Sequence, residues 1–262
     1  IYLIAQAYRN AQSTIVIPTR NEYEAACKAN KHHLNFILKN KLTENVSLPG
    51  GLAFISHPNN LDGSTLEEEV LRKILAANTN TIFVIDQTYI KYVPGGNPLN
   101  ALLKEYDNLL IVESISQSYG FSGLPVGYIA GNAEFIERIW EFKPPHSYNA
   151  IAIETARYVL THRQDFEIPI QSFLEEKRVL QEKLAEIPHL EILESKAAFF
   201  MIRLLNGKAR ELTKFLWQNY SVIVREVSSH RGIDTENIRL IAKGSNENFL
   251  LLKALKDFLS RQ

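Results

Sequence analysis

Short apolar segments alternate with longer amphipathic segments through the first half of the chain. The apolar segments are near-continuous, which is typical of strands buried on both faces of a sheet. The segments between them repeat apolar positions every three or four residues, which predicts helices. The predicted strands are TIVIP, HLNFIL, GLAFIS, TIFVID, LLIVES and GYIAG, and the predicted helices are IYLIAQAYRN, EYEAACKAN, STLEEEVLRKILAANT (with a Ser/Thr cap), NPLNALLKEYD and NAEFIERIWEFK. This alternation predicts an α/β fold with a mainly parallel sheet sandwiched by helices.

The pattern changes after Pro144 and Pro145, which interrupt the alternation. Two long helices are predicted over 147–162 and 170–186. The strands HLEILES, AFFMIRLL, VIVREV and NIRLIAK then occur among the helices GKARELTKFLWQNY and SNENFLLLKALKDFLSRQ, the last of them capped by Ser245. Strands clustered between helices predict a smaller C-terminal α+β domain. We therefore expect a large domain over 1–145, a connecting helix over 146–165 and the small domain over 166–262.

Composition narrows the class of protein. The 29 basic and 29 acidic residues balance, and no basic run stands out, which argues against a nucleic-acid partner. No apolar run approaches the roughly 20 residues that a membrane-spanning helix needs. The single cysteine, Cys27, excludes an intrachain disulfide framework and fits a reducing cytoplasm; its place on the apolar side of a helix predicts a buried thiol. The chain begins inside a helical pattern without a Met or a cap, which predicts that it is the interior of a longer protein with further residues before Ile1.

Polar residues follow four of the predicted strands. A polar residue at one strand end is usually part of a turn, but in open α/β sheets ligands bind at the carboxyl ends of the strands. Four such ends in one sheet therefore predict a site. The seven histidines show no metal-binding spacing. The residues at the strand ends are Thr19, Arg20, His57, Asn59, Asn60, Asp86, Tyr89, Ser116 and Gln117.

Asp86 is the residue with the most specific chemistry in this set. An aspartate that ends an apolar strand needs a cationic partner if it is buried. The protonated pyridine nitrogen of pyridoxal phosphate is such a partner, and Tyr89 and Asn60 could hydrogen-bond the phenolic oxygen of the same ring. The alternative is that Asp86 caps a turn and that Asn60 is an ordinary turn residue.

Taken in order, these motifs resemble the fold-type I pyridoxal-phosphate family, aminotransferase class I/II. The resemblance covers essentially the whole chain and is nearest to threonine-phosphate decarboxylases and histidinol-phosphate aminotransferases. The segment VREVSSHRGID makes the resemblance stronger to the decarboxylases than to the aminotransferases. The other segments that carry it are VIDQTYIKY, HPNNLDG, LLIVESISQSYGFSGLPVGY and NIRLIAKGSNEN.

The resemblance implies roles for individual residues. Asp86, Asn60 and Tyr89 would contact the cofactor ring, and Ser116 its phosphate. Arg239 would bind the substrate carboxylate through its guanidinium fork, while Arg225 is either a second substrate contact or part of a surface ion pair. The resemblance also implies pyridoxal phosphate as cofactor, a small amino acid or phosphorylated amino acid as substrate, a homodimer, and a place in cobalamin biosynthesis.

Several positions depart from the family pattern: Leu61 and Asp62 replace the Pro-Thr of the asparagine turn, and three further changes fall on the expected site. The Schiff-base lysine is replaced by Gln117, the phosphate-binding arginine by Pro125, and the aromatic residue that stacks on the cofactor ring by Arg20, whose planar guanidinium could stack instead. A carboxamide nitrogen cannot add to a carbonyl, because its lone pair is delocalised. Two hypotheses follow. The chain is either a decarboxylase-like or aminotransferase-like protein with impaired catalysis and weak cofactor retention, or a non-catalytic relative that acts as a dimerising or regulatory partner.

Overall fold

The computed structural model describes residues 1–96 and 98–261. These residues form two compact units, each with its own core. The large unit comprises Ile1–Asn60, Thr65–Lys91 and Gly95–Ile168, and the small unit comprises Leu61–Ser64, Tyr92–Pro94 and Pro169–Gln262.

The large unit is built on a six-stranded sheet with the order β2-β1-β3-β4-β5-β6. All neighbouring pairs are parallel except β5 with β6, which is antiparallel. The predicted mainly parallel sheet is therefore confirmed. The strands are β1 (Gln12–Ile17), β2 (His33–Leu38), β3 (Gly51–Ser56), β4 (Thr81–Asp86), β5 (Leu109–Ser114) and β6 (Gly127–Gly131).

Helices cover this sheet on both faces. Ala53 and Ile55 of β3 pack into one apolar cluster, whereas Leu52 and Phe54 pack into another, because successive side chains of a strand point to opposite faces. Cys27 lies in the second cluster and is fully buried, as predicted. The helices of this unit are α1 (Tyr2–Ala7), α2 (Glu22–Ala29), α3 (Glu68–Ala77), α4 (Ile115–Ser118), α5 (Ala133–Trp140) and α6 (Ala150–Thr161), with short 3₁₀ helices at Lys39–Lys41, Leu99–Lys104 and Arg163–Phe166.

The small unit is an antiparallel four-stranded sheet with the order β7-β8-β10-β9, packed with three helices. The predicted small α+β architecture is therefore observed. Its elements are α7 (Ile170–Ala185), β7 (Leu190–Ile192), β8 (Phe199–Leu204), α8 (Ala209–Tyr220), β9 (Arg225–Glu226), β10 (Asn237–Ile241) and α9 (Ser245–Leu259). Among the described helices, none is both long and apolar enough to cross a membrane.

Two helices predicted for the large unit differ from those observed. The helix predicted from Ser64 begins at Glu68, and its N-cap residue Glu67 makes no side-chain cap bond; the Ser64 N–H instead donates to the side chain of Asp62 in a local turn. The helix predicted over NPLNALLKEYD is the 3₁₀ helix Leu99–Lys104, whose two buried leucines lie three residues apart, the period of a 3₁₀ helix. The first residue of that prediction, Asn97, lies outside the described residues.

Two predictions for the small unit also differ. The predicted strand VIVREV is reduced to Arg225–Glu226, because the Val222 N–H bonds back to Leu216 O at the end of α8. Ser245 is not a cap: the N-cap of α9 is Gly244, and Asn248 closes the helix start by bonding both backbone groups of Lys243. Gln262, the last residue of the predicted terminal helix, lies outside the described residues.

Candidate functional site

The carboxyl ends of three central strands lie side by side in the large unit. Ser56 at the end of β3 pairs with Asp86 of β4, and Asp86 pairs with Val112 of β5. The main chain continues this alignment, because the His57 N–H donates to Asp86 O at 2.9 Å and the Gln87 N–H to Val112 O at 2.8 Å. The polar segments that follow these strands are therefore brought to one edge of the sheet, where ligands of α/β proteins bind.

Asp86 is the centre of a buried polar cluster at this edge. Its side chain is only 3% exposed. Oδ2 accepts a hydrogen bond from Tyr23 Oη at 2.6 Å, and Oδ1 accepts from the N–H of Thr88 at 2.9 Å and from its hydroxyl at 2.5 Å. Nη1 of Arg20 lies 3.8 Å from Oδ2. The charge of this carboxylate is thus balanced by groups of the chain itself.

Tyr23 is the functional-site residue that sequence reasoning missed. It lies on α2, is fully buried, and stacks on Phe54 with ring centroids 5.9 Å apart. Burial, then the charge of Asp86, raises the pKa of Tyr23 well above its ordinary value, so the hydroxyl stays a hydrogen-bond donor. The sequence showed a helix here but gave no sign that this hydroxyl reaches a residue 63 positions away.

Asn60 is held in the same cluster by its side-chain amide. Nδ2 donates to Thr19 Oγ1 and to Ser56 Oγ at 3.0 Å each, and lies 3.4 Å from Tyr23 Oη. Oδ1 accepts from the Arg20 N–H at 3.0 Å. The amide thereby joins the segment after β1 to the segment after β3, which explains why it is buried, with 3% exposed.

Arg20 turns towards the acids of the cluster. Besides Asp86, its Nε lies 3.6 Å from a carboxylate oxygen of Glu22. That Nε is buried and makes no hydrogen bond. Burial lowers the pKa of Arg20, but the neighbouring groups raise it by more, so the pKa of Arg20 is raised overall; these groups are Tyr23, Asp86, Glu22 and Tyr89. Tyr89 therefore lies close enough to interact electrostatically with Arg20. The stacking of Arg20 on a cofactor ring stays a prediction.

Ser116 and Gln117 lie on α4, the single helical turn that follows β5. Ser114 caps this turn by accepting the Gln117 N–H at 3.2 Å, and its hydroxyl lies 3.2 Å from that of Ser116. The side-chain oxygen of Gln117 accepts a hydrogen bond from Ser122 Oγ at 3.1 Å. Gln117 thus contributes a satisfied amide, while the two serines form a hydroxyl pair that suits an oxyanion.

One lysine lies close to this turn. Nζ of Lys91 is 3.6 Å from the ring centroid of Tyr119, two residues beyond Gln117. Lys91 follows β4 in a short 3₁₀ helix, Ile90–Tyr92. The sequence alone placed Lys91 and Gln117 in different elements and gave no reason to bring their segments together.

The two predicted substrate arginines meet in the small unit. Arg225 of β9 and Arg239 of β10 are directly opposite each other in the antiparallel register, so both side chains point to one face of the sheet. They line an open cavity of about 720 Å³ together with Lys243, and the guanidinium of Arg239 lies 5.0 Å from the ring of Phe199.

Among the described residues, no three His, Cys, Asp or Glu side chains are arranged to hold a metal ion. The ordered polar chemistry of the large unit is instead an acid, an amide and hydroxyl groups at a sheet edge. A sheet of this topology, with an acid at the end of β4 and a second antiparallel unit, defines the class of fold-type I pyridoxal-phosphate-dependent enzymes.

The chain belongs to the aminotransferase class I and II family, whose model matches residues 4–252. Similar solved structures include the L-threonine-O-3-phosphate decarboxylase from Porphyromonas gingivalis, with 33% identity, a TM-score of 0.94, and 99% of this chain and 80% of that chain covered. The histidinol-phosphate aminotransferase from Clostridium acetobutylicum has the same fold, with a TM-score of 0.86 and 22% identity over 100% of this chain and 81% of that chain.

Curated relatives carry the same two names. A histidinol-phosphate aminotransferase from Ruminiclostridium cellulolyticum is 26% identical over 77% of this chain and 55% of its own length. A protein from Caldanaerobacter subterraneus subsp. tengcongensis, provisionally named a threonine-phosphate decarboxylase, is 25% identical over 98% of this chain and 73% of its own length. The chain spans 55–57% of the length of the first curated relatives that it matches.

The family is pyridoxal-phosphate-dependent, and the donor set of this chain fits that cofactor only in part. Asp86 and Asn60 are polar groups suited to its ring, and Ser114 and Ser116 to its phosphate. No amine stands at position 117, and Asp86 already accepts from Tyr23 and Thr88 and faces Arg20. The residues present therefore do not fit the cofactor as a covalently held, charge-paired group.

Proposed function

We propose that this chain is a threonine-phosphate-decarboxylase-like protein that binds a small phosphorylated amino acid without forming a Schiff base. The observation that carries this proposal is Gln117, an amide already bonded to Ser122, at the position of the family's lysine. Schiff-base catalysis requires an amine that adds to a carbonyl and then moves a proton at the substrate's α-carbon. Gln117 does neither, so the chain acts as a binding or regulatory relative of the enzymes.

The ligand class rests on the small unit. Arg225 and Arg239 present two guanidinium groups on one face of a sheet, and guanidinium forks bind carboxylate and phosphate groups with paired hydrogen bonds. A phosphorylated amino acid carries both of these groups. The 33% identity to a threonine-phosphate decarboxylase supports the same class.

A second candidate function is pyridoxal-phosphate-dependent decarboxylation or transamination with Lys91 as the amine. The observation that favours it is the position of the Lys91 amino group over Tyr119, close to the turn that carries Gln117. A lysine from another element then supplies the nucleophile that position 117 lacks. The two candidates differ in whether a covalent adduct forms.

Reductive labelling separates the two candidates. The purified protein is incubated with pyridoxal phosphate, reduced with borohydride and dialysed, and the labelled peptide is identified by mass spectrometry. We expect no stoichiometric label at any one lysine of the wild-type chain. We expect a label at position 117 in the double variant Gln117→Lys, Pro125→Arg, which restores the amine and a phosphate contact.

The control is Lys91→Arg, which keeps the charge over Tyr119 and removes the amine that reacts. Stoichiometric labelling of wild type that disappears in this variant would establish the second candidate and refute the first. Binding of O-phospho-L-threonine, measured by calorimetry, tests the ligand class. We expect binding by the wild-type chain and its loss in Arg239→Gln, and absence of binding to wild type would refute that class.

We also propose that the chain forms a homodimer in the cytoplasm, that residues 1–145 form the large pyridoxal-phosphate-type α/β domain, and that residues 166–262 form the small C-terminal α+β domain, with 146–165 as the connecting helix. The family resemblance supports these assignments. Light scattering after size-exclusion chromatography measures the oligomeric state, and a monomer at micromolar concentration would refute the dimer.

A further inference from the structure

The cation opposite Asp86 belongs to the chain itself. Nη1 of Arg20 lies 3.8 Å from Oδ2 of Asp86, and the other oxygen of this carboxylate is saturated by the two donors of Thr88. Tyr23 takes the remaining strong position on Oδ2 at 2.6 Å. A ligand that needs this carboxylate therefore competes with groups that are already in place.

We propose that Arg20 determines which ligands can bind at the polar cluster around Asp86, because its guanidinium takes the position of a ligand cation opposite Asp86 and disfavours cationic rings. A ring with a protonated nitrogen that enters between Arg20 and Asp86 brings a second positive charge close to Arg20. It gains little attraction in return, because the Asp86 carboxylate already has Arg20 as its counter-charge. The polar cluster accordingly favours neutral or anionic ligands. This inference rests on the proposed function, in which the chain forms no Schiff base.

The surroundings of Arg20 support this assignment. Its backbone N–H is fixed by Asn60, so the residue cannot swing away as a whole. Its side chain is 29% exposed, so it lies partly at the surface and not in the core. Its Nε lies 3.6 Å from a carboxylate oxygen of Glu22, so the guanidinium is held between two acids.

The size of the effect follows from the distance. Two unit charges about 4 Å apart change a binding equilibrium by about five- to thousandfold, from bulk water to a site near the protein surface. Since the arginine is partly exposed and 3.8 Å away, the lower end of this range applies. Removal of the positive charge should therefore strengthen the binding of a ring cation by about tenfold.

The test uses pyridoxine 5′-phosphate, which has the cofactor's ring and phosphate but no aldehyde, so its binding does not depend on a lysine. Calorimetry compares the wild-type chain with Arg20→Gln, which removes the charge, and with Arg20→Lys, which keeps it. We expect about tenfold tighter binding by Arg20→Gln and wild-type affinity for Arg20→Lys. In an Asp86→Asn background the carboxylate that would attract the ring cation is absent. Arg20→Gln should therefore not raise the affinity for pyridoxine 5′-phosphate there.

Equal affinity of Arg20→Gln and wild type, or the same gain in the Asp86→Asn background, would overturn the inference. Circular dichroism checks that each variant is folded, and the neutral, non-aromatic Arg20→Met replaces Arg20→Gln if the latter unfolds. The result is independent of the labelling experiment: a covalent adduct in wild type refutes the proposed function, whereas these affinities test only the charge of Arg20.

Discussion

Replacement of Tyr23 by Phe removes one buried hydroxyl from the large unit and tests how much Asp86 depends on it. That hydroxyl donates to Asp86 Oδ2 at 2.6 Å and lies 3.4 Å from the Asn60 amide. A hydrogen bond to a charged group contributes about 1.5–3 kcal/mol. Arg20 stays near the same oxygen at 3.8 Å and compensates in part, so we expect Tyr23→Phe to lower the free energy of unfolding of the large unit by about 2 kcal/mol.

The chain offers a matched control in Tyr8. This tyrosine belongs to the same apolar cluster as Tyr23 and is 8% exposed, but its hydroxyl is buried without a hydrogen-bond partner. Tyr8→Phe removes the same atom and no hydrogen bond. We expect it to leave the stability unchanged or to raise it by up to about 1 kcal/mol.

Urea unfolding followed by tryptophan fluorescence measures both variants. The chain has two tryptophans, Trp140 in the large unit and Trp217 in the small unit. In a Trp217→Phe background the fluorescence therefore reports the large unit alone. The reasoning is refuted if Tyr23→Phe and Tyr8→Phe unfold at the same urea concentration.

Two further predictions concern stability. Burial raises the pKa of Cys27 to about 12, against about 8.5 in an unfolded chain. The folded state therefore binds the thiol proton more tightly than the unfolded state. This difference stabilises the fold below pH ~8.5, and the stabilisation is lost as the pH rises towards about 12. Cys27→Ala should flatten this alkaline loss in urea titrations, and an unchanged slope would contradict it. Gly63→Ala places a methyl group 2.2 Å from Ser195 Oγ at φ +72°, whereas Gly120→Ala, at φ +78°, meets no atom within 4 Å. Both changes should cost about 1–2 kcal/mol for the left-handed backbone, and Gly63→Ala about 1–3 kcal/mol more for the clash; equal costs, measured by denaturant unfolding, would exclude the clash.

Much of the fold could be predicted because it depends on local periodicity. Every predicted strand of the large unit is observed, and the strand that ends in Asp86 has the predicted bounds. The errors occur where distant or turn-specific contacts override the pattern. The segment before Arg225 pairs with the end of α8 instead of the sheet, and the segment Leu99–Lys104 buries two leucines three residues apart, which suits a 3₁₀ helix.

The candidate site could be predicted only at the level of residue types. The sequence named Asp86 and Asn60, and both are buried at one sheet edge. The partner of Asp86 could not be found, because Tyr23 lies 63 residues away and its position on a helix resembles that of any core aromatic. The direction of Arg20 was equally hidden, since a guanidinium suits stacking and ion pairing alike.

The sequence by itself determined the order of strands and helices, the acid at the end of β4 and the lack of an amine at position 117, because these depend on local pattern and on residue chemistry. Only the tertiary structure decided that Arg20 faces Asp86, that Arg225 lies opposite Arg239, and that Lys91 lies over Tyr119. The physical reason is that charge pairing and strand register depend on distances between segments far apart in the chain, and local periodicity carries no information about those distances.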